Sequence, residues 1–269
     1  MATFTEWTPA DAARSIAVPG EDDDKYSRGV LGVITGSDQY PGAAVRGVEA
    51  ALHTGLGMVR YVGHERAADF VLARRPEIVV GMGRVQAWLI GSGTDYKNYT
   101  SADAEIALQE GVPTVLDAGA LALHDRHTGP LVVTPHYREL SRLIDVDAEE
   151  IAADPARWAA EASEQLGATV LLKGHSSWAA GGGELLRIRS APTWLATAGA
   201  GDALAGILGA LVATHVEAIN ADAGMLPRLA ATASLVHGLA ADRASAGGPF
   251  TILGLTEAIP ATIANLLAG

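Results

Sequence analysis

The sequence predicts an α/β protein with a mostly parallel central sheet and helices on both of its faces. Three observations lead there. Short apolar, β-rich runs alternate with longer stretches of helical periodicity. Several of those runs are apolar throughout, as burial on both faces requires. Glycine-rich polar turns succeed the runs again and again, the punctuation of strand-to-helix connections. With 269 residues and an apolar share of 49%, the chain can bury the core of one large domain spanning 1–269.

Residues 1–25 are expected to form an N-terminal helix and an acidic connector, with Glu21-Asp22-Asp23-Asp24-Lys25 solvated. Strands are expected at Val30–Ile34, Met58–Val62, Ile78–Val80, Ala87–Ile90, Thr114–Leu116, Leu131–Val133 and Val170–Leu172. Helical periodicity covers 42–55, 64–74, 97–110, 136–144, 148–166, 200–214, 225–247 and 256–267. Ser177–Arg189, with Gly181-Gly182-Gly183 at its centre, reads as a hairpin. No internal repeat or linker interrupts this order.

Composition narrows the function. The absence of cysteine excludes a disulfide scaffold, thiolate zinc sites and cysteine nucleophiles. A formal charge of −12 argues against a nucleic-acid partner or an acidic membrane surface. It leaves room for a phosphorylated small molecule, because a helix N-terminus, one lysine and Mg²⁺ reverse the potential locally. The first residues lack the basic and apolar regions of a secretory signal, and the apolar helix around 203–213 is broken by Gly206 and Gly209. The expectation is a soluble, cytoplasmic protein. Only three Phe and six Tyr occur, so helices are expected to pack through small side chains.

Ligands of open α/β sheets sit beyond the carboxyl ends of the strands. The turns at those ends are therefore informative: Thr35-Gly36-Ser37 and Pro41-Gly42-Ala43-Ala44; Gly91-Ser92-Gly93-Thr94; Asp117-Ala118-Gly119-Ala120; Thr134-Pro135-His136 with Glu139 a turn later; and Lys173-Gly174-His175-Ser176-Ser177. Together they outline a crevice that lets backbone groups approach a ligand closely. Lys173 ends an apolar strand and is expected to contact phosphate or nucleotide, a surface salt bridge being the alternative. His136 and Glu139 have the spacing of a helix capping arrangement. Asp117 is either a turn cap or a metal contact. His53, His124, His127, His215 and His237 lack metal-ligand spacing and read as solvated or satisfied core groups. Trp88, Trp178 and Trp194 read as packing residues.

The most informative segment is Gly199-Ala200-Gly201-Asp202, which opens into an apolar helix at Ala203, Leu204, Ile207, Leu208 and Leu211. Two glycines let the first amides of that helix turn toward an anion. A carboxylate beside that anion is either a helix cap or a group that handles Mg²⁺ or a proton. No Walker A loop, dinucleotide-binding glycine fingerprint or nucleophile elbow accompanies it.

TGSDQYPGAA, IGSGT, LDAGAL, LVVTPHYRE, VLLKGHSS and TAGAGDALAGIL stand in an order that resembles the ADP- or ATP-dependent NAD(P)H-hydrate dehydratases of the ribokinase-like superfamily. The resemblance runs from Tyr26 to the C-terminus. It implies a ribokinase-like three-layer sandwich and repair of the S epimer of hydrated NADH or NADPH. The C6 hydroxyl is phosphorylated at the expense of ADP or ATP with Mg²⁺, and phosphate is then eliminated. On the same ground Ala43, Ala44, Gly93 and His136 are expected to contact the hydrated nicotinamide nucleotide, with Asp202 as base. Lys173, Gly174, His175, Ser176, Ser177 and Gly201 would hold the adenine nucleotide, while Gly199, Ala200 and Gly201 form the phosphate cradle. A homo-oligomer, tetrameric in the resembling family, is also implied. The chain departs from the family pattern at Ser92, at Tyr137-Arg138 and at Ala200. The competing readings are a small-molecule kinase such as a hydroxyethylthiazole kinase and a non-catalytic nucleotide-binding protein.

Overall fold

The computed structural model describes residues 3–94, 101–189 and 191–269. The first part supplies β1 (Thr5–Glu6), α1 (Pro9–Arg14), β2 (Val30–Ile34), α2 (Gly42–Thr54), β3 (Met58–Tyr61), α3 (Glu65–Arg74), β4 (Val79–Val80) and β5 (Ala87–Ile90). The second adds α4 (Ala102–Leu108), β6 (Thr114–Leu116), a 3₁₀ segment at Ala118–Arg126, β7 (Leu131–Val133), α5 (Tyr137–Ile144), α6 (Ala148–Ala153), α7 (Pro155–Leu166), β8 (Thr169–Leu172), β9 (Ser177–Gly181) and β10 (Glu184–Ile188). After a 3₁₀ turn at Thr193–Leu195 come α8 (Ala200–Ala213), α9 (Val216–Ala221), α10 (Met225–Ser245) and α11 (Ile252–Leu267).

The ten strands join one sheet in the order β1-β10-β9-β8-β7-β6-β5-β2-β3-β4. Only β9, the first arm of the expected hairpin, runs against its neighbours β8 and β10. Because the inner strands are apolar on both sides, the sheet feeds two cores. Leu31, Val33, Val115, Val132 and Leu171 pack with α2, α8, α10 and α11, while Val30, Ile34, Leu116, Val133, Val170 and Leu172 pack with α4 through α7. This is the three-layer, mostly parallel arrangement the sequence predicts. The helix 97–110 falls partly outside the described residues, and its described part is helical over Ala102–Leu108.

Several elements differ from expectation for local reasons. The segment 148–166 is two helices, because Pro155 opens a new one and Asp154 accepts the Arg157 amide at 3.3 Å. Helix α11 starts at Ile252 rather than 256, since Thr251 caps it by accepting the Gly254 amide at 3.1 Å. Strand β1 and helix α9 are too short to leave a periodic signal. Among the described residues, no helix is long and apolar enough to cross a membrane.

The chain leaves β2 toward β3 and β4 on one side and returns to pair β5 on the other, so the sheet has its topological switch between β2 and β5. Their carboxyl-end turns are stitched together there. The Gly36 amide donates to the Ser92 carbonyl at 2.7 Å, and Ser37 Oγ donates to the Gly93 carbonyl at 2.9 Å. Helices α2 and α8 cross beside this switch at very close range, as small residues allow: a Cβ on Gly206 would lie 2.2 Å from the Gly47 carbonyl oxygen. That approach brings the start of α8 against α2 above the strand ends.

Candidate active site

Gly199 precedes α8 with a φ of +92°, a left-handed conformation that other residues adopt at a cost. Ala200 spends its amide on the Thr197 carbonyl at 3.3 Å, whereas the amides of Gly201 and Asp202 have no acceptor among the described residues. Of the three amides expected to form the cradle, only that of Ala200 is thus spent on the chain itself. Asp202 lies in the first turn but does not cap the helix, since no side chain bonds the N-cap. Its Oδ2 instead accepts from Arg46 Nε at 2.8 Å, and the Arg46 Nη2 forms an ion pair with the same oxygen at 2.7 Å. Its Oδ1 makes no hydrogen bond among the described residues. Burial lifts the Asp202 carboxyl above the ordinary aspartate range, and Arg46 only partly offsets this. The result is a carboxyl group biased toward accepting a proton, beside open amides.

Across the crevice, Lys173 stands at the end of β8 and Asp117 at the end of β6. Lys173 Nζ donates to Asp117 Oδ1 at 2.8 Å and lies 3.8 Å from Glu139. Asp117 also accepts from Thr134 Oγ1 at 2.7 Å and from Ser92 Oγ at 2.8 Å. Asp117 thus does not cap the turn with its side chain; its two oxygens take three donors from neighbouring strand ends instead. Burial alone would neutralise the carboxyl, but the Lys173 charge and these hydrogen bonds outweigh it and hold the pKa below the ordinary value. Burial likewise works against the Lys173 charge, and Asp117 and Glu139 more than compensate. Lys173 is therefore the cation of a buried pair rather than a surface salt bridge. Its amine also borders the start of α8, 3.8 Å from where a Cβ on Gly201 would stand.

His136 is the N-cap of α5, with Nδ1 accepting from the Glu139 amide at 3.2 Å and its own amide donating to Glu139 Oε2 at 2.8 Å. The expected capping pair is present despite Tyr137-Arg138. Burial lowers the His136 pKa against the pull of Glu139, so its ring is biased to the neutral form. Tyr137 closes over Gly174, where a Cβ would stand 2.4 Å from the phenol oxygen. On the opposite wall, Ala43 and Ala44 are buried under the β2 and β5 turns: a Cβ on Gly93 would meet Ala43 Cβ at 2.3 Å. Their methyl groups are spent on packing, and the Ala43 amide already bonds the Tyr40 carbonyl at 3.2 Å.

A cavity of about 650 Å³ joins His136, Lys173, Gly174, His175 and Ser177 to Ala200, Gly201 and His237. The sequence-predicted nucleotide residues are thus brought to one place, except Ser176, which does not line the cavity. Trp178 is a packing residue as expected, edge-on to Phe4 at 5.1 Å between ring centres. His237 corrects the reading of a satisfied core histidine: its Nε2 is buried with no hydrogen-bond partner. Burial pushes its pKa down to about 4, against the opposing Ala200 backbone. The neutral ring therefore favours the folded state above pH 6.5, and this advantage is lost as pH falls from 6.5 to 4. Fully developed, it amounts to about 3 kcal/mol at 1.36 kcal/mol per pKa unit. Urea unfolding at pH 7 and pH 4.5 should show His237→Gln losing less stability than the unsubstituted chain. Equal losses would refute the assignment.

Sequence reasoning missed two charged residues on α2. Arg46 is one, and its partner lies 156 positions away. Glu49 is the other: fully buried, it accepts from Arg75 at 2.6 and 2.7 Å and from Arg74 at 3.0 Å. It ties α2 to α3 well away from the crevice. Among the described residues, no group of three His, Asp or Glu side chains could hold a metal ion.

Known proteins resemble this chain in sequence and in fold. The bifunctional NAD(P)H-hydrate repair enzyme of Mycobacterium leprae is 38% identical over 79% of this chain, which covers 46% of that relative. The chain thus spans about half the length of the first curated relatives it matches. The ADP-dependent (S)-NAD(P)H-hydrate dehydratase of Xanthomonas campestris is 32% identical, covering 79% of this chain and 82% of that one. Among solved structures, the Bacillus subtilis ADP/ATP-dependent NAD(P)H-hydrate dehydratase co-crystallised with ATP/Mg²⁺ superposes with a TM-score of 0.87 at 22% identity, over 99% of this chain and 100% of that chain. A hydroxyethylthiazole kinase from Pyrococcus horikoshii shares the fold at a TM-score of 0.63, over 97% of this chain and 95% of that one. The profile of the NAD(P)H-hydrate dehydratase family matches residues 31–259, and the chain belongs to that family.

Proposed function

We propose that this chain restores NADH and NADPH from the S epimer of their hydrates, consuming ADP or ATP and releasing phosphate. The observation that carries the reading is the buried Asp202 carboxyl, poised to take a proton beside the open Gly201 and Asp202 amides and opposite Lys173. A hydroxyl is a poor leaving group, and phosphate is a good one. The C6 hydroxyl oxygen attacks the terminal phosphorus of the nucleotide, the bond to the nucleotide's bridging oxygen breaks, and the hydroxyl proton passes to Asp202 Oδ1. The ring nitrogen then pushes out phosphate as the C6–O bond breaks. Loss of the neighbouring C5 proton closes the double bond.

Each wall of the crevice has a part in this reading. The two amides and Lys173 face the transferring group, where a well-placed donor lowers the barrier by about 3–4 kcal/mol. The cavity from His136 to Gly201 takes the adenine nucleotide. The turns at Ala43, Ala44 and Gly93 shape the place for the nicotinamide ring, by packing rather than through their methyl groups. Mg²⁺ would be carried mainly by the nucleotide phosphates, with Glu139 the crevice carboxylate that has room left. When bound it neutralises phosphate charge. One sheet carries all ten strands, which supports the chain working as a single unit.

The direct test supplies hydrated NADH with ADP and with ATP in parallel. Regained nicotinamide absorbance with one phosphate released per molecule repaired is the expected result. A stable phosphorylated product from another hydroxyl acceptor, without hydrate repair, would make the chain a kinase. Tight nucleotide binding with no turnover of any hydrate would make it a binding protein.

A further inference from the structure

Arg46 reaches from α2 to the start of the neighbouring α8, and three features of its placement are unusual together. Two of its nitrogens converge on the same carboxylate oxygen, Asp202 Oδ2, at 2.8 and 2.7 Å. Its stem lies flat on Gly199, where a Cβ would stand 2.3 Å from Nε, so the path exists only because position 199 has no side chain. Its remaining guanidinium nitrogen is 3.0 Å from the Cβ position of Gly42, at the start of α2. A cation between two helix N-termini sits in an unfavourable field, since those ends attract anions. Neither helix gains from Arg46 by its dipole. What holds the guanidinium there is Asp202.

We propose that Arg46 is the positioning residue of the base: by holding Oδ2 with one hydrogen bond and one ion-pair contact it turns Oδ1 to the substrate hydroxyl and keeps the carboxylate charged until that hydroxyl arrives. The inference rests on the reading of Asp202 as base. A carboxylate free to rotate in this crevice would offer either oxygen in many orientations, and only some lie in line with a hydroxyl facing the phosphoryl group. The charges that reach Asp202 come from three elements. Arg46 on α2 and Lys173 after β8 favour its ionised form, while Asp117 after β6 opposes it. Lys173 and Asp117 are already paired with each other and largely cancel. Without Arg46, burial would therefore leave Asp202 protonated at higher pH, and a protonated carboxyl accepts nothing.

The test tracks the Asp202 carboxyl directly, by ¹³C NMR titration of the aspartate-labelled chain, beside pH profiles of kcat/KM for hydrated NADH. Arg46→Met is expected to raise the Asp202 midpoint and the acid limb together by about one pH unit or more. It should lower kcat about 10- to 100-fold near pH 6 and leave KM for ADP within about threefold. Arg46→Lys, which keeps the charge but not the fork, should hold the midpoint near its original place and recover only part of kcat. A midpoint that does not move in Arg46→Met overturns the proposal, whatever the activity. So does a rise of tenfold or more in KM for ADP with kcat unchanged, which would make Arg46 a phosphate ligand. Should Arg46→Met fold poorly, the Arg46→Lys pair of readouts decides alone: full kcat with an unmoved midpoint would refute the need for the fork. A midpoint that moves in a chain that repairs no hydrate would instead defeat the proposed function and leave the Arg46–Asp202 linkage standing.

Discussion

Asp202→Asn should lower turnover of hydrated NADH by about a thousandfold or more while nucleotide binding and folding persist. A general base contributes roughly 10²–10⁴ in rate, and here it also sits beside the phosphoryl group, so the upper part of that range, about 4 kcal/mol or more of barrier, is at stake. The structural cost should be small, because the asparagine carbonyl can still accept from Arg46, which already bonds only Oδ2. The Gly201 and Asp202 amides belong to the backbone and survive the substitution. Single-turnover repair with ADP, a nucleotide-binding titration and a melting curve form the necessary set. Near-native turnover would place the base elsewhere. Lost nucleotide binding would mean that Asp202 builds the site instead of operating in it.

The second large effect falls on stability. Lys173→Met should cost about 3–5 kcal/mol, because it leaves the Asp117 carboxylate buried with two hydroxyl donors and no cation. Asp117→Asn combined with Lys173→Met removes both charges and should recover most of that loss, since a buried pair often contributes little net stability over neutral replacements. The double variant then separates scaffold from chemistry. It should fold well and still repair hydrate poorly, because the amine beside Gly201 is gone. Urea unfolding of the singles and the double yields the coupling energy between the two positions. Restored activity in the double variant would show that Lys173 serves the fold alone.

Much of this was legible in the sequence, and the rest was hidden for identifiable reasons. Strands β2, β5, β6 and β7 coincide with the apolar runs read from the sequence, because burial on both faces leaves an unbroken signature. The crevice was legible through the small and polar residues at the strand ends, and the capping role of His136 and Glu139 through their spacing. The role of Asp117 was not. Its partners stand 25, 17 and 56 positions away, and only the parallel sheet sets the ends of β5, β6, β7 and β8 side by side. Arg46 was hidden in the same way: on α2 alone it reads as a solvent-face charge. The break at Asp154-Pro155 carried a clear local signal, overridden by a helical periodicity that runs across it. His237 was invisible because an apolar helix pattern does not say whether a ring nitrogen inside it finds a partner.

The sheet begins and ends with its two-residue strands, β1 and β4. Each presents an edge too short to template a neighbouring strand, and long exposed edges are where folded chains join by accident. A ten-stranded parallel-rich sheet is otherwise an invitation to grow from molecule to molecule. Here both margins are closed by elements that are barely strands at all. Edges this short oppose an assembly built on continuous sheet hydrogen bonding between copies of the chain.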